Sequence, residues 1–135
     1  MAAADKNGTQ RLLTLLAASS VPREDIAEEL EMMGSKAVPA LLEALQHTDY
    51  KVRMAAARCL GELCDQTAVP ALVAGLSDSS KNVQRYAADA LTSIGRPAVK
   101  PLLDALIGKD QSARRWAAEA LGNIGDRSVA LELVK

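Results

Sequence analysis

Arg85-Tyr86 and Arg115-Trp116 are the residues of this 135-residue chain best suited to recognition chemistry. Arginine offers a planar fork of donors, while Tyr and Trp offer rigid amphipathic area, and these three types dominate binding hot spots. The chain has one Trp, two Tyr and no Phe, so aromatics are scarce and Tyr86 and Trp116 stand out. The two dipeptides are one interval apart, 115 − 85 = 30. Residues for catalysis are scarcer still. His47 is the single histidine, lying before Thr48 in a polar stretch. One imidazole cannot build a multi-histidine metal site. Cys59 and Cys64 have no further Cys or ligand cluster nearby. They are expected to be reduced, joined neither to each other nor to zinc. Ser19-Ser20 and Ser79-Ser80 lack a paired base, and no G-x-S-x-G, phosphate loop or dinucleotide fingerprint occurs. No catalytic, cofactor-binding or metal-ligating residue is assigned.

The interval between the dipeptides belongs to a repeat. Ala37 to Leu63 reads AVPALLEALQHTDYKVRMAAARCLGEL, and close variants begin at Ala68 and Ala98. Val38, Val69 and Val99 are equivalent, with 69 − 38 = 31 and 99 − 69 = 30. A period of this length marks a helical solenoid, in which each unit buries its apolar face only against its neighbours. Within each unit the spacing predicts two helices. Val38, Leu41, Leu42 and Leu45 form the stripe of a short one, with Pro39 tolerated in its first turn. Val52, Ala56, Cys59, Leu60 and Leu63 share a face of the longer one, which Asp49 should cap. Ser80 and Asp110 occupy the same cap position later, and Gly34, Gly95 and Gly125 supply stops. In the fourth unit Leu102, Leu103 and Leu106 make the first stripe, and Leu121 takes the rung of Leu60 and Leu91.

Residues 9–34 read as a divergent first unit, since Leu30 and Met33 align with Leu60 and Leu63. The expected repeats are therefore about 9–34, 37–64, 68–95 and 98–125, with a terminal helix at 128–134. Residues 1–8 are small and polar and are expected to be a flexible lead-in to a single domain over 9–135. Pro22 opens the second helix of the first unit. That helix is acidic, with Glu24, Asp25, Glu28, Glu29 and Glu31 against Arg23. It suits either a solvated end face or a docking patch for a basic partner.

The composition narrows the function classes. A formal charge of −1 does not favour general nucleic-acid binding, which needs many phosphate-neutralising cations. The first ten residues are polar, so no signal peptide is expected, and no stretch is apolar enough to span a bilayer. A cytoplasmic setting is expected. Two alternatives stand for the ridge of the longer helices. Stacking brings Arg85, Tyr86 and Asp89 beside Arg115, Trp116 and Glu119, with Met54 and Arg58 one rung back. These eight residues either bind a protein or peptide, or fill gaps and form i, i+4 ion pairs such as Arg85–Asp89 and Arg115–Glu119.

The blocks AVPALLEAL, VRMAAARCLGEL and RRWAAEALGNIG resemble HEAT repeats of the short phycocyanobilin-lyase HEAT-like type. The resemblance covers Ala37 to Gly125 well and 9–36 loosely. It implies an all-α, right-handed α-solenoid of antiparallel helix pairs, first helices convex and second helices concave. The family commonly has Arg after the Val of the second helix; Arg53 and Arg114 match and Gln84 departs. Those arginines are expected to bridge repeats through an Asp or a helix end. Iron-binding hydroxylases resembling this fold carry repeated His-Glu pairs, which one histidine cannot supply. The expected role is a non-catalytic scaffold that holds a protein or peptide on its concave face, without cofactor. The alternatives are a bilin lyase or phycobilisome-handling factor, or one module of a larger chain.

Overall fold

The computed structural model describes residues 11–18 and 23–134. The expected lead-in at 1–8, Ser19-Ser20 and the Pro22 start lie outside the described residues. Eight helices follow one another, and no strand occurs among the described residues. They are α1 at 11–17, α2 Arg23–Met33, α3 Ala37–Ala44, α4 Tyr50–Leu63, α5 Val69–Gly75, α6 Lys81–Ile94, α7 Val99–Leu106 and α8 Gln111–Val134. Short 3-10 turns at Gly34–Lys36, Gln66–Ala68 and Arg96–Ala98 lead straight into α3, α5 and α7, which the periodicity had not indicated. The caps do what their residue types suggest. Asp49 accepts a hydrogen bond from the Lys51 N–H, Ser80 from Val83 and Asp110 from Ser112.

Consecutive helices pair, and the pairs stack into an α-solenoid of two layers. In one layer α4 packs on α6 and α6 on α8; in the other α5 packs on α7. Between the layers runs a continuous core. Leu41, Leu60, Leu72, Leu91 and Leu102 are fully buried in it, surrounded by Ala44, Ala56, Ala57, Ala87 and Ala117. The small residues set the helix spacing. A Cβ placed on Gly61 would lie 2.9 Å from both Cα and Cβ of Ala90, so α4 and α6 touch almost backbone to backbone. Gly75 of α5 meets the Ala87 Cβ of α6 in the same way, at 3.1 Å.

Three expectations are corrected. Gly125 does not end a helix, and no separate helix forms at 128–134: α8 runs unbroken over Gln111–Val134. Gly34 and Gly95 do stop helices, with φ of +58° and +82°. Gly125 keeps a negative φ. Arg96-Pro97 follows Gly95, and a proline bars continuation, whereas Asp126-Arg127-Ser128 contains no breaker. Cys64 takes the stop position between them with φ of +53°, a left-handed conformation for a residue with a Cβ. Second, Leu103 belongs to no core stripe: it is 49 % exposed, on the side of α7 that no further described helix covers. Third, Leu121 is only half-buried while Leu60 and Leu91 are fully buried, because α8 has a stacking neighbour on one side only.

Two tests follow from this packing. Leu91→Ala should cost about 2–5 kcal/mol in urea denaturation, through lost transfer energy and a cavity. Leu30→Ala should cost less, since Leu30 is half-buried near the end of the stack. The glycines give opposite signs. Gly61→Ala should lower stability, because overpacking costs about 1–3 kcal/mol against a helix-propensity gain of about 1 kcal/mol. Gly122 takes the same register in α8 but has no neighbour within 4 Å. Gly122→Ala should therefore raise stability by about 0.5–1 kcal/mol in the same assay.

Candidate functional site

The longer helices α4, α6 and α8 carry the eight candidate residues, and their stacking decides which of them meet. On α4, Met54 and Arg58 are half-buried. On α6, Arg85 and Asp89 are exposed and Tyr86 is half-buried; on α8, Arg115 and Glu119 are exposed and Trp116 is half-buried. Arg58, Tyr86 and Asp89 come together, with Ser93, around an open groove of about 340 Å³ between α4 and α6. Gly61 and Ala90 also line it, so the close approach of the two helices keeps it shallow. Met54, Arg85, Arg115, Trp116 and Glu119 lie outside this groove.

The groove has an uneven charge pattern. The Arg58 Nε is buried without a hydrogen-bond partner, and Glu62 Oε1 is 3.8 Å away, too far for a hydrogen bond. Arg85 does not pair with Asp89, nor Arg115 with Glu119, among the described residues. The Arg85 guanidinium instead sits over the Tyr86 ring, 5.3 Å from its centroid. The ridge thus leaves Asp89, Arg115 and Glu119 without ion-pair partners among the described residues, while Tyr86 and Trp116 both pack partly against the core.

Trp116 is held from beneath. Its Nε1–H donates to Gln84 Oε1 at 3.0 Å, and Gln84 is a buried polar side chain of α6. Gln84 Nε2 in turn donates to the Asp78 carbonyl. Gln84 therefore fills the role that arginine fills in the flanking units. Arg53 Nη1 donates to the His47 and Thr48 carbonyls at 2.8 and 3.0 Å. Arg114 Nη1 donates to the Gly108 and Lys109 carbonyls at 2.9 and 3.0 Å. Each of the three side chains ties its helix to the carbonyl six residues earlier. Arg53 also reaches the next unit, where its Nε and Nη2 meet the Asp78 carboxylate at 2.9 and 3.1 Å. This is the expected bridge; Arg114 makes only the local half of it.

Sequence reasoning missed Asp78 and the coupling of Gln84 to Trp116. The available signal was the joint departure of the third unit, where Gln replaces Arg and a Trp appears one unit on. It also missed a link between loops, in which the Ser77 hydroxyl beside Asp110 is the largest cause holding that carboxyl below its ordinary range. His47 is engaged as well: its Nδ1 accepts the Asp49 N–H at 3.0 Å. Among the described residues no three His, Cys, Asp or Glu side chains are grouped to hold a metal ion. No helix among them is long and apolar enough to cross a membrane.

The structure of human deoxyhypusine hydroxylase in complex with glycerol is similar, with a TM-score of 0.59 and 26 % identity over 87 % of this chain and 43 % of that one. An engineered protein matches with a TM-score of 0.50 and 26 % identity, over 86 % of this chain and 63 % of that one. The chain spans less than two thirds of the length of each. No match was found among curated proteins. The family model for HEAT repeats matches residues 9–78 and again 69–135. With one family pattern laid twice along nearly its whole length, this chain is a member of the HEAT repeat family.

Proposed function

We propose that the chain is a non-catalytic interaction scaffold that holds a protein or peptide segment against α4, α6 and α8, on the concave side and in a cytoplasmic setting. The observation that carries the reading is the groove between α4 and α6, where Arg58, Tyr86 and Asp89 converge. An Arg, an aromatic ring and a carboxylate around one groove are suited to a peptide's carbonyls, apolar side chains and amides. Arg115 and Trp116 stand one rung on, so an extended segment can run from one pair to the other. Trp116 is the anchored part of this wall, since Gln84 fixes its ring. Rigid aromatic area loses little entropy on binding, which favours such a residue as an anchor.

The hydroxylase likeness supports no transfer of activity, because the chain spans under half of that enzyme and has one histidine. The test begins with cross-linking in the native cell to identify the partner, followed by calorimetry. Tyr86→Ala and Trp116→Ala should each weaken binding by about 2 kcal/mol. Arg85→Ala should weaken it less and leave the melting temperature unchanged, since Arg85 is exposed. Glu43→Ala, on the other layer, should change nothing. Loss of folding in Trp116→Ala, together with unchanged binding in Tyr86→Ala, would make both aromatics packing residues. A visible absorption change on mixing with a bilin would replace the scaffold reading with a chromophore-handling role.

A further inference from the structure

The stack is closed between α4 and α6 but open between α2 and α4. Leu30 aligns with Leu60, so Glu31 of α2 takes the register of Gly61 in α4. Cys59 of α4 likewise takes the register of Ala90 in α6, since 90 − 59 = 31. Where Gly61 meets Ala90, the helices nearly touch. Where Glu31 stands in place of Gly61, its Cβ bars so close an approach, and α2 barely contacts α4. The result is a groove of about 440 Å³ with Glu31 and Cys59 among its lining residues. Its apolar surface comes from Leu30, Val38 and Leu63, the last 43 % exposed. Its polar lining is Glu31, Glu62 and Asp65, with no basic residue among the described residues.

We propose that this groove binds a basic amphipathic segment, one whose apolar side chain enters between Leu30, Val38 and Leu63 while flanking Lys or Arg side chains reach the acidic rim. The volume suits one or two large apolar side chains, and the charge pattern favours a basic partner over an acidic one. Asp65 stays ionised under ordinary conditions, because the Thr67 hydroxyl and N–H donate to its Oδ1 at 2.7 and 2.8 Å and lower its pKa. Its other oxygen is left to meet a partner's cation without giving up those bonds. Glu31 is exposed at the rim. A helical partner meets both features at once, with apolar positions spaced i, i+3 or i+4 and basic positions beside them. The proposal gives the scaffold reading a partner class but uses none of the ridge residues, so each can fail alone.

The experiment uses the full chain and two labelled peptides, an amphipathic Leu/Lys helix and the same helix with Glu for Lys, followed by fluorescence anisotropy. The Lys peptide should bind, and the Glu peptide should not. The double variant Glu31→Lys with Asp65→Lys should weaken the Lys peptide by roughly tenfold or more and weaken its salt dependence. Ala27→Leu, which fills the groove without altering charge, should weaken it by a similar factor; Ala27 is exposed and also lines it. Circular dichroism confirms that both variants are folded. Trp116→Ala should leave this binding unchanged. Equal binding of the two peptides, no binding of either, or full binding by Ala27→Leu would overturn the proposal. Loss of Lys-peptide binding in a Trp116→Ala chain that circular dichroism shows to be folded would relocate the site to the ridge and overturn the proposal.

Discussion

The fold depends on how closely its longer helices can approach. Gly61 against Ala90 lets α4 and α6 come within backbone contact, and alanines fill most of the remaining inter-helix space. At this spacing there is no room for large aromatics, which is consistent with a chain that has no Phe. The core gains its stability from many short contacts instead of a few large buried rings. Because each helix pair touches only its neighbours, the spacing at one junction does not impose itself on the next. The closed α4–α6 junction and the parted α2–α4 junction are both consequences of which residues meet at one register.

Much of the architecture was legible because helical periodicity and capping are local. Val38, Val69 and Val99 marked the repeat, and Asp49, Ser80 and Asp110 cap the helices they precede. Gly125 was misread because a glycine alone does not stop a helix: Gly34 and Gly95 adopt positive φ, and Gly125 does not. The exposure of Leu103 was hidden for a different reason. Its stripe matches that of Leu42 and Val73, and only the absence of a described neighbour beyond α7 distinguishes it. Periodicity reports which face a residue occupies, not whether anything covers that face.

The candidate site was legible in part. Register alone placed Arg58, Tyr86 and Asp89 on one wall, and they do share a groove. Register could not show that Arg85 would lie over Tyr86 instead of pairing with Asp89, because that choice depends on rotamers and not on spacing. Nor could it show the chain of contacts from Asp78 through Gln84 to Trp116. An arginine at position 84 has no acceptor to offer an indole N–H, whereas the glutamine amide offers both a donor and an acceptor. The departure from the repeat pattern at Gln84 and the tryptophan one unit later are thus two ends of one hydrogen-bonded arrangement.

The parted junction has a mechanical meaning. A stack of coupled elements yields first at its weakest coupling, and among the described longer helices that lies between α2 and α4. The segment from α4 to α8 is braced by Gly61–Ala90 packing, the Arg53–Asp78 fork and the Trp116–Gln84 bond. None of those three braces crosses to α2. Among the described helices, bending or thermal fraying should therefore concentrate at this one joint rather than spread evenly along the spring.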